Sequence, residues 1–484
     1  MSLQGGDNRS GLSAVEPGLF FVLGITVLAY LNAFAGAFQF DDYNVILGSA
    51  KAHSFSAWFG DLPHGIRPLL TLSYLLNQLS GGGAAGFHLV NLLIHLVNVG
   101  LVYRLARSLA LSCQVEPGRG ATLASAIFAL HPLQTEAVTY LSGRSSSLAA
   151  LFYLTALLLH EKARQKGVNS RLYRLTPLCF LAALLAKETA VTLPLALLLW
   201  DMAKRGPGRV RDHFRAEWRS WLLLPVLLVA LLLHPRYGAL LEYSFDIRSR
   251  GENLLSQGNA VCYLLSRLLI LTGMNIDPDL RPVTRVDGAL ALRIAFLAVL
   301  AATGLATLRR HPWLGFGILW FLLHLVPTNS LVPRLDLVND RQAYLPMAGV
   351  ALTVGLALGF LADSWNRRCL RAAAAGLFMV LALSTFLRNR DYRSEIALWE
   401  DTVGKSPDKA RPHNNLGYAY LVAGRHREAR VEFLTALRID PEYPLAAANL
   451  KATETALAGK ALEILRGVTP FPLAGPGAAT GMSR

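Results

Sequence analysis

The sequence predicts an all-α, polytopic membrane protein with about eleven transmembrane helices and a small helical region at the C-terminus. Three observations lead to this fold class. Of the 484 residues, 53% are hydrophobic and 16% are charged, whereas an ordinary soluble domain is ~25% charged. The hydrophobic residues lie in runs of roughly 17–22 residues, the length that a helix needs to cross ~30 Å of hydrocarbon. A pattern of about 34 residues that is typical of paired helices follows the last run.

The chain carries a net charge of +15, and its basic residues are concentrated in short loops between the apolar runs. This distribution orients a protein in a bilayer, so we attribute the charge to membrane topology and expect no nucleic-acid binding. The four cysteines form no C-x-x-C pair, and we expect them to be small apolar fillers instead of metal ligands or disulfides. They are Cys113, Cys179, Cys262 and Cys369.

The first apolar run, 18–38, is longer than the apolar part of a signal peptide and follows the acidic residues Asp7 and Glu16, so we expect a retained span. With the N-terminus in the cytoplasm, the loop 39–86 lies outside it, and its length is typical of a functional loop. The basic loop 204–219 then lies inside. The remaining spans are expected at 87–106, 121–131, 145–160, 172–186, 189–201, 220–234, 288–308, 313–327, 344–364 and 372–387.

The run 260–274 can be interpreted in two ways. If it crosses the membrane, the basic pairs at 309–310 and 367–368 both lie outside the cytoplasm. If it lies in the interface or re-enters, both pairs lie inside, and the positive-inside rule favours this second topology. The C-terminal region is then extracytoplasmic.

We expect a membrane domain over 1–390, a helical repeat region over 391–465 and a disordered tail over 466–484 that is rich in Gly, Ala and Pro. Residues 410–443 fit one tetratricopeptide repeat, which is a pair of helices of about 34 residues. A half repeat before it and a degenerate one after it fall short of the roughly three repeats that a free array needs, so the region must lean on the membrane domain or on a partner. The signature positions hold Leu416, Gly417, Tyr420, Ala429, Phe433, Ala436 and Pro441.

Two adjacent carboxylates, Asp41 and Asp42, directly follow the first span. Ionisable side chains at the edge of a span are costly to place and usually functional, and a carboxylate there can act as a general base. The alternative is a solvated acidic pair that only ends the span. We favour the functional interpretation and expect the rest of the chain to hold substrates over these residues.

Further ionisable side chains fall on the same predicted side of the membrane as Asp41 and Asp42. Each of them alone could equally form a structural ion pair or contact a substrate. Their placement on the same side of the membrane favours a substrate-binding cavity. The adjacent Lys187 and Glu188 would point about 100° apart on a helix, so each needs a separate partner. The set consists of Arg67, His131, Glu136, Arg144, Lys187, Glu188 and Arg341.

A polar stripe runs along one face of the second span. Its members are spaced so that they fall within about 80° of one helix face. We favour interhelical hydrogen bonding over a direct catalytic role for them. No third ligand accompanies the two histidines, so the sequence predicts no metal site. The stripe consists of His88, Asn91, His95 and Asn98.

Several segments together resemble the C-type superfamily of lipid-dependent glycosyltransferases, and most closely the transmembrane-and-tetratricopeptide-repeat protein O-mannosyltransferases and their bacterial relatives. The order of the segments and the trailing repeat both match this family. The segments are FDDYNVI at 40–46, RPLLTLSYLLN at 67–77, FHLVNLLIHLVN at 87–98, HPLQTEAVTYLSGR at 131–144, AKETAVTLPLALLLWD at 186–201 and NDRQAYLPMAG at 339–349.

The resemblance implies an enzyme that transfers a mannose-like hexose from a polyprenyl or dolichyl phosphate to a hydroxyl acceptor, such as a protein Ser or Thr, with inversion. It implies Asp41 as the base, with Asp42 in support, and cations such as Arg67 and Arg341 at the phosphate. No cofactor is required, and a divalent metal is compatible with the chemistry but not expected. The implied location is the bacterial inner membrane with an extracytoplasmic active site, or the lumenal face of the endoplasmic reticulum in a eukaryote.

Two alternatives remain open. The first is a transferase or ligase of surface polysaccharide or lipid-linked glycan, which differs in its acceptor. The second is a non-catalytic membrane scaffold whose repeat region binds partners. A transporter should show internally repeated spans, and the sequence has none. We expect the repeat region to bind the acceptor or a partner and to be dispensable for the chemistry, because all candidate reactive groups lie within 40–341.

Overall fold

The protein is all-helical over the residues that the computed structural model describes, which are 17–113, 116–167, 170–206, 210–361 and 366–457. No β-strand occurs within these ranges. The expectations for the acidic leader, for residues 458–465 and for the tail 466–484 lie outside them. The helices are α1 (Pro17–Tyr30), α2 (Phe55–Asp61), α3 (Pro68–Leu79), α4 (Gly83–Ser112), α5 (Pro117–Leu130), α6 (Thr135–Val138), α7 (Arg144–Lys166), α8 (Leu175–Ala186), α9 (Leu193–Arg205), α10 (Val210–Leu233), α11 (Pro235–Ile247), α12 (Arg250–Arg267), α13 (Gly288–Arg310), α14 (Pro312–Leu325), α15 (Tyr344–Leu361), α16 (Arg367–Asn389), α17 (Glu395–Lys405), α18 (Ala410–Val422), α19 (His426–Ile439) and α20 (Pro444–Leu457).

Five helical stretches of the described chain are long and apolar enough to cross a membrane. The bent pair of α10 and α11, which turn by 77° relative to each other, would make a sixth. Each of the eleven predicted spans coincides with a helix, but several of these helices are too short to span alone, so the count of eleven stays a prediction. The five stretches are Pro17–Ala35, Gly83–Ser112, Gly288–Arg310, Asp340–Leu361 and Arg368–Tyr392. The predicted all-α membrane class is confirmed.

Helix α5 lies at the centre of the membrane part, which we define as α1–α16, and packs against α1, α4, α15 and α16. Small residues allow this close approach, as is usual between membrane helices. A Cβ on Gly355 of α15 would lie 2.4 Å from the backbone nitrogen of Ala124 in α5. Substitution of Gly355 would therefore force the two central helices apart.

The ambiguous run 260–274 is not one continuous helix. Its first part completes α12, which begins with a capping box between Ser249 and Glu252 and ends at Arg267. Residues 268–287 form turns and extended backbone without a helix. This geometry agrees with an interfacial or re-entrant segment, because backbone without helical hydrogen bonds is not tolerated where it faces lipid.

The C-terminal helical region, α17–α20, consists of four helices that each pack on the next. Six of its seven expected signature residues are buried, with Ala429 and Phe433 fully so, whereas Pro441 is exposed. A Cβ on Gly417 would lie 2.8 Å from the ring of Phe433, which explains why a glycine stands where the two helices of the pair meet. The assignment of this pair as a tetratricopeptide repeat stays a prediction.

The C-terminal helical region packs against the segment that carries the candidate reactive groups, as expected of a region too small to stand alone. The ring of Trp399 in α17 packs edge-on against Phe40 at 5.1 Å, one residue before Asp41. Lys405 donates a hydrogen bond to the carbonyl of Met274 at 2.9 Å. Sequence separation hid this contact, because the chain returns to its first loop after the last helix of the membrane part.

Candidate functional site

The two adjacent aspartates occupy different environments in a bend that follows the first span. Asp42 is 1% exposed, and its carboxylate accepts hydrogen bonds from the backbone N–H of Gln39 at 2.9 Å and from the backbone N–H and the hydroxyl of Ser142. The side chain of Asp41 is 29% exposed, and its backbone N–H donates to the Tyr140 hydroxyl at 3.0 Å. Asp42 therefore fixes the bend, whereas the side chain of Asp41 stays partly accessible.

Strained backbone accompanies this arrangement. Phe40 and Arg67 are the two non-glycine residues of the described chain with positive φ angles, at 50° and 55°. Such conformations cost energy and persist where the surroundings fix them, often at functional sites. The Phe40 ring is held between Tyr140 and Trp399, so packing from two other segments keeps Asp41 in place.

The segment 132–143 supplies the wall opposite Asp41. It consists of short helical turns between α5 and α7 and is buried almost throughout. Gly143 is required there, because a Cβ at this position would lie 2.0 Å from the carbonyl oxygen of Glu136. This tight fold directs Glu136 and Tyr140 toward the same point.

Arg341 connects the aspartate to this wall. Its Nη1 lies 3.9 Å from the Asp41 carboxylate, and its Nε lies 3.5 Å from the carboxylate of Glu136. Its backbone N–H donates to Glu136 at 3.0 Å, and its guanidinium lies over the Tyr140 ring, 5.6 Å from the centroid. Glu136 is 1% exposed, so its main effect is to hold Arg341 beside Asp41.

A small cavity begins at Arg341 on the side away from the buried segment. Arg341 and Lys187 both line it, together with Ser146, His324 and Thr328. Lys187 is buried and donates to the Ser146 hydroxyl at 2.8 Å, and no carboxylate of the described residues forms an ion pair with it. Burial, together with the nearby Arg67, Arg334 and Arg341, lowers the pKa of Lys187, and a negative charge bound in this cavity would stabilise its ammonium form.

Arg67 and Glu188 form a two-pronged ion pair at the mouth of this region. The Nε and Nη2 atoms of Arg67 donate to the two carboxylate oxygens of Glu188 at 2.8 and 2.6 Å. This geometry fixes the plane of the guanidinium. Glu188 therefore holds Arg67 in place, and its predicted contact with substrate stays a prediction.

Sequence reasoning missed Arg334. This residue interacts electrostatically with Arg67, Arg341 and Lys187, and no hydrogen bond or ion pair of its guanidinium is found among the described residues. It lies in an irregular loop, where no periodicity points to a side chain. The one available signal was a lone arginine shortly before the segment at 339–349 that resembles the family.

Arg144 was predicted to bind substrate, and the structure places it elsewhere. Its side chain is 0% exposed, and its guanidinium donates to the side chains of Asn91 and Asn77 at 2.6 Å each. The backbone carbonyls of Ser73 and Phe87 accept its other hydrogen bonds. With its donors satisfied inside the protein, Arg144 holds α3, α4 and α7 together.

His131 uses its ring nitrogens within the protein. Its Nδ1 accepts a hydrogen bond from the backbone N–H of Leu133, and its Nε2 lies 3.2 Å from the carbonyl of Leu268. Both ring nitrogens are thus used in capping the end of α5 and in contact with the segment after α12. The prediction of a substrate contact took no account of this local capping.

The polar stripe of α4 faces other helices. Asn91 donates to the carbonyl of Val138 at 3.1 Å. His95 and Asn98 both contact the Tyr344 hydroxyl, at 2.7 and 3.0 Å. His88 is buried beside Gly36. These contacts are of the interhelical kind that the sequence favoured for the stripe.

The electrostatics of the bend suit a base. Burial raises the pKa of Asp41 above the ordinary value of an aspartate, although Arg341 and a hydrogen bond with Tyr140 offset part of the shift. Burial also raises the pKa of Asp42, to about 7, against the opposing effect of its hydrogen bonds from Ser142 and Gln39. An aspartate with a raised pKa takes up a proton from a hydroxyl more readily than an ordinary one.

One group of side chains could hold a metal ion, at the opposite end of α7. The ligand atoms of His160, Asp201 and His213 lie within 4.8 Å of one another. However, Trp221 donates to Nε2 of His213 at 3.2 Å, so Nδ1 of that ring carries the proton that it shares with Asp201. Arg205 already lies 2.8 Å from the same carboxylate. The geometry is that of a buried charge network, and the expectation that no metal is required stays a prediction.

Comparison with curated proteins finds homologues across most of the chain. Protein O-mannosyl-transferase Tmtc1 of Drosophila melanogaster is 27% identical over 539 residues, which cover 88% of this chain and 62% of the fly protein. Protein O-mannosyl-transferase TMTC3 of Homo sapiens is 25% identical over 479 residues, which cover 87% of this chain and 51% of the human protein. Protein O-mannosyl-transferase Tmtc2 of Drosophila melanogaster is 38% identical over a shorter stretch of 211 residues, which covers 39% of this chain and 22% of that protein.

No family model matches the chain. The chain spans less than two thirds of the length of these relatives, with 62% of the fly Tmtc1 as the largest share of the three. The family resemblance that the sequence motifs indicated is nevertheless confirmed, because homologues of one kind cover most of the chain. Over that length the chain is a distant homologue of the TMTC protein O-mannosyl-transferases, at 23–27% identity.

Proposed function

We propose that this protein is an integral membrane glycosyltransferase that moves a mannose-like hexose from a polyprenyl or dolichyl phosphate to the hydroxyl of a protein Ser or Thr, with inversion. One observation carries the proposal: Arg341 lies 3.9 Å from the part-exposed carboxylate of Asp41 and also lines a cavity with Lys187, which forms no ion pair among the described residues. A base and an anion-binding cavity therefore meet at one side chain. Transfer from a lipid phosphate needs both groups at one place.

The base end works as follows. The acceptor hydroxyl gives its proton to the Asp41 carboxylate while its oxygen forms a bond to the anomeric carbon. The bond between that carbon and the phosphate oxygen breaks on the opposite face, and the electron pair leaves with the lipid phosphate. A positioned base of this kind contributes about 10²–10⁴-fold to a rate. Asp42 supports the reaction through the bend that it holds.

The cationic end stabilises the leaving group. Negative charge grows on the phosphate in the transition state, and preorganised cations in a site with little water are the usual means of stabilising it. Lys187 and Arg341 line the cavity, and Arg67 and Arg334 lie in electrostatic contact with them. These residues supply this charge without a metal ion.

The finer parts of the architecture belong to the same proposal. We place about eleven spans in the bilayer, with Asp41 and α17–α20 on the extracytoplasmic face, because the basic loop 204–219 favours the cytoplasm. We assign α18 and α19 as one tetratricopeptide repeat that receives the acceptor protein. The packing of α17 against Phe40 supports this role, because it places the region directly at the site.

The test uses the full-length chain in detergent or nanodiscs with radiolabelled polyprenyl-phosphate mannose and a Ser/Thr-rich peptide. Expected results are release of lipid phosphate and a labelled peptide of inverted anomeric configuration, both abolished by D41N. A matched control is D61N, which removes an acid from the same loop that pairs with Lys51 at 2.7 Å. Transfer to a glycan and not to the peptide would favour the polysaccharide alternative, and no release with any acceptor would favour the scaffold.

A further inference from the structure

The C-terminal helical region reaches the membrane part through a network of charges at one edge of the candidate site. Arg411, near the start of α18, places its Nε 2.7 Å from the carboxylate of Asp277 and its Nη2 2.5 Å from the carboxylate of Asp336. Lys409 also pairs with Asp277, which is 2% exposed. Asp336 therefore depends on a residue of the C-terminal helical region for its counter-ion.

Asp336 lies in the irregular loop that leads to Arg341, only five positions earlier in the sequence. It interacts electrostatically with both Asp41 and Arg341. Without a partner, its negative charge would repel Asp41 and attract the guanidinium that Asp41 and Glu136 share. The ion pair with Arg411 offsets both effects.

We infer that Arg411 is a positioning residue for sugar transfer: it neutralises Asp336, so that Arg341 stays between Asp41 and Glu136. This inference rests on the proposed function, because it assigns Asp41 as the base. It gives the C-terminal helical region a part in the chemistry itself, in addition to any binding of acceptor. The group does not touch substrate, so its effect is on the charge and geometry of the residues that do.

The charged and titratable groups that face Asp41 come from several elements. Arg341 and Asp336 come from the loop before α15, Tyr140 from the segment 132–143, and Arg411 from α18. Asp42 adjoins it in sequence. Loss of Arg411 leaves one additional negative charge in this set. This charge stabilises the protonated form of Asp41 relative to the ionised form. Sugar transfer needs ionised Asp41, so a variant without Arg411 should become active at a higher pH than the wild type.

The experiment measures the pH profile of lipid-phosphate release by the full-length protein, with polyprenyl-phosphate mannose as donor. In R411M, we expect the acid limb of kcat/KM to move up by about one pH unit, the size of shift that an added unit charge produces when it acts over ~10 Å at an effective dielectric constant near 20. The double variant R411M/D336N should restore the wild-type limb, because both members of the pair are removed together.

Controls separate this inference from a structural role. R430M removes a salt bridge of the same region, to Glu454 at 3.4 Å, and should leave the profile in place. D336N alone, with Arg411 intact, should move the acid limb to lower pH. This variant tests the inference even if R411M does not fold. An activity loss in R411M without a pH shift, or without rescue by D336N, would overturn the inference. If the wild type shows no release that depends on Asp41, the proposed function is overturned, and the inference with it.

Discussion

Substitution of each of the two aspartates by asparagine should separate their roles. Asn has the shape of Asp but cannot take up the proton of an acceptor hydroxyl. For D41N we expect kcat to fall by about 10²–10⁴-fold, the usual loss of a general base. Stability should hardly change, because the Asp41 side chain is 29% exposed, its ion pair with Arg341 is long, at 3.9 Å, and such pairs contribute about 1 kcal/mol or less.

For D42N we expect the opposite result, a large loss of stability and a small loss of activity. The amide oxygen can keep the hydrogen bonds from Ser142, but the amide NH₂ then faces the N–H of Gln39, which the carboxylate now accepts at 2.9 Å. One buried donor is left unpaired, which costs about 1–3 kcal/mol of stability. Activity should fall by less than 10-fold under conditions where the variant is folded, because Asp41 keeps its chemistry.

The pH dependence of the D42N effect has a definite sign. Burial raises the pKa of Asp42 to about 7 in the folded protein, above the value near 3.9 of an unfolded aspartate. The wild type therefore loses stability as the pH rises from about 4 to about 7, whereas Asn carries no charge and does not. The stability deficit of D42N should be largest at low pH and should shrink towards pH 8.

Two measurements test these expectations on the same purified protein. Initial rates of lipid-phosphate release give kcat and KM, and thermal melting in detergent gives the stability at several pH values. The acid limb of the wild-type rate profile should lie above the ordinary aspartate range, because burial raises the pKa of Asp41. A folded D42N that loses more activity than D41N would show that the base is assigned to the wrong carboxylate.

Three further predictions follow from the geometry. E188Q should raise the KM for the donor about 10-fold or more, with a smaller change in kcat. The reason is that Arg67 loses the carboxylate that fixes the plane of its guanidinium. An unchanged KM would show that Arg67 does not contact the donor. R144M should lower the melting temperature and the folded yield, because it leaves buried acceptors of Asn91 and Asn77 without a donor, at about 1–3 kcal/mol each. A folded variant with a raised donor KM would return Arg144 to the site. In a cysteine-free background, a Cys at the exposed Glu428 should react with an impermeant thiol reagent on intact cells and one at the exposed Arg215 should not; the opposite pattern would reverse the proposed orientation.

The sequence predicted where helices form more reliably than how many of them cross the membrane. Each expected span coincides with a helix, since apolar runs of this length form helices in almost any surroundings. Helices such as α8 and α9, with 12 and 13 residues, are too short to cross by length alone. Composition does not reveal whether such a helix completes a span with the turn beside it, since that depends on neighbouring helices.

The candidate site was predictable only in part, because the sequence indicates which residues lie near the ends of spans but not where their side chains point. Asp41, Lys187 and Arg341 converge as expected from their common predicted side. Arg144 and His131 satisfied the same criterion, but the structure turns them inward, where Arg144 meets Asn91 and Asn77. Side-chain direction at a helix break depends on tertiary packing, which spacing along the chain does not encode.

The residues that do meet share one property that the sequence displays. Asp41 follows the end of the first span, Glu136 lies among the short turns between α5 and α7, Lys187 lies between α8 and α9, and Arg341 precedes α15. Backbone that is not helical is tolerated in a membrane protein where it is buried in protein or lines a polar cavity. Interruptions between apolar runs therefore mark the segments that build such a cavity. Arg334 fits this rule as well, because it lies in the loop before α15, whereas Arg411 lies in α18, beyond the last apolar run. Ionisable residues at such interruptions are the ones to test first.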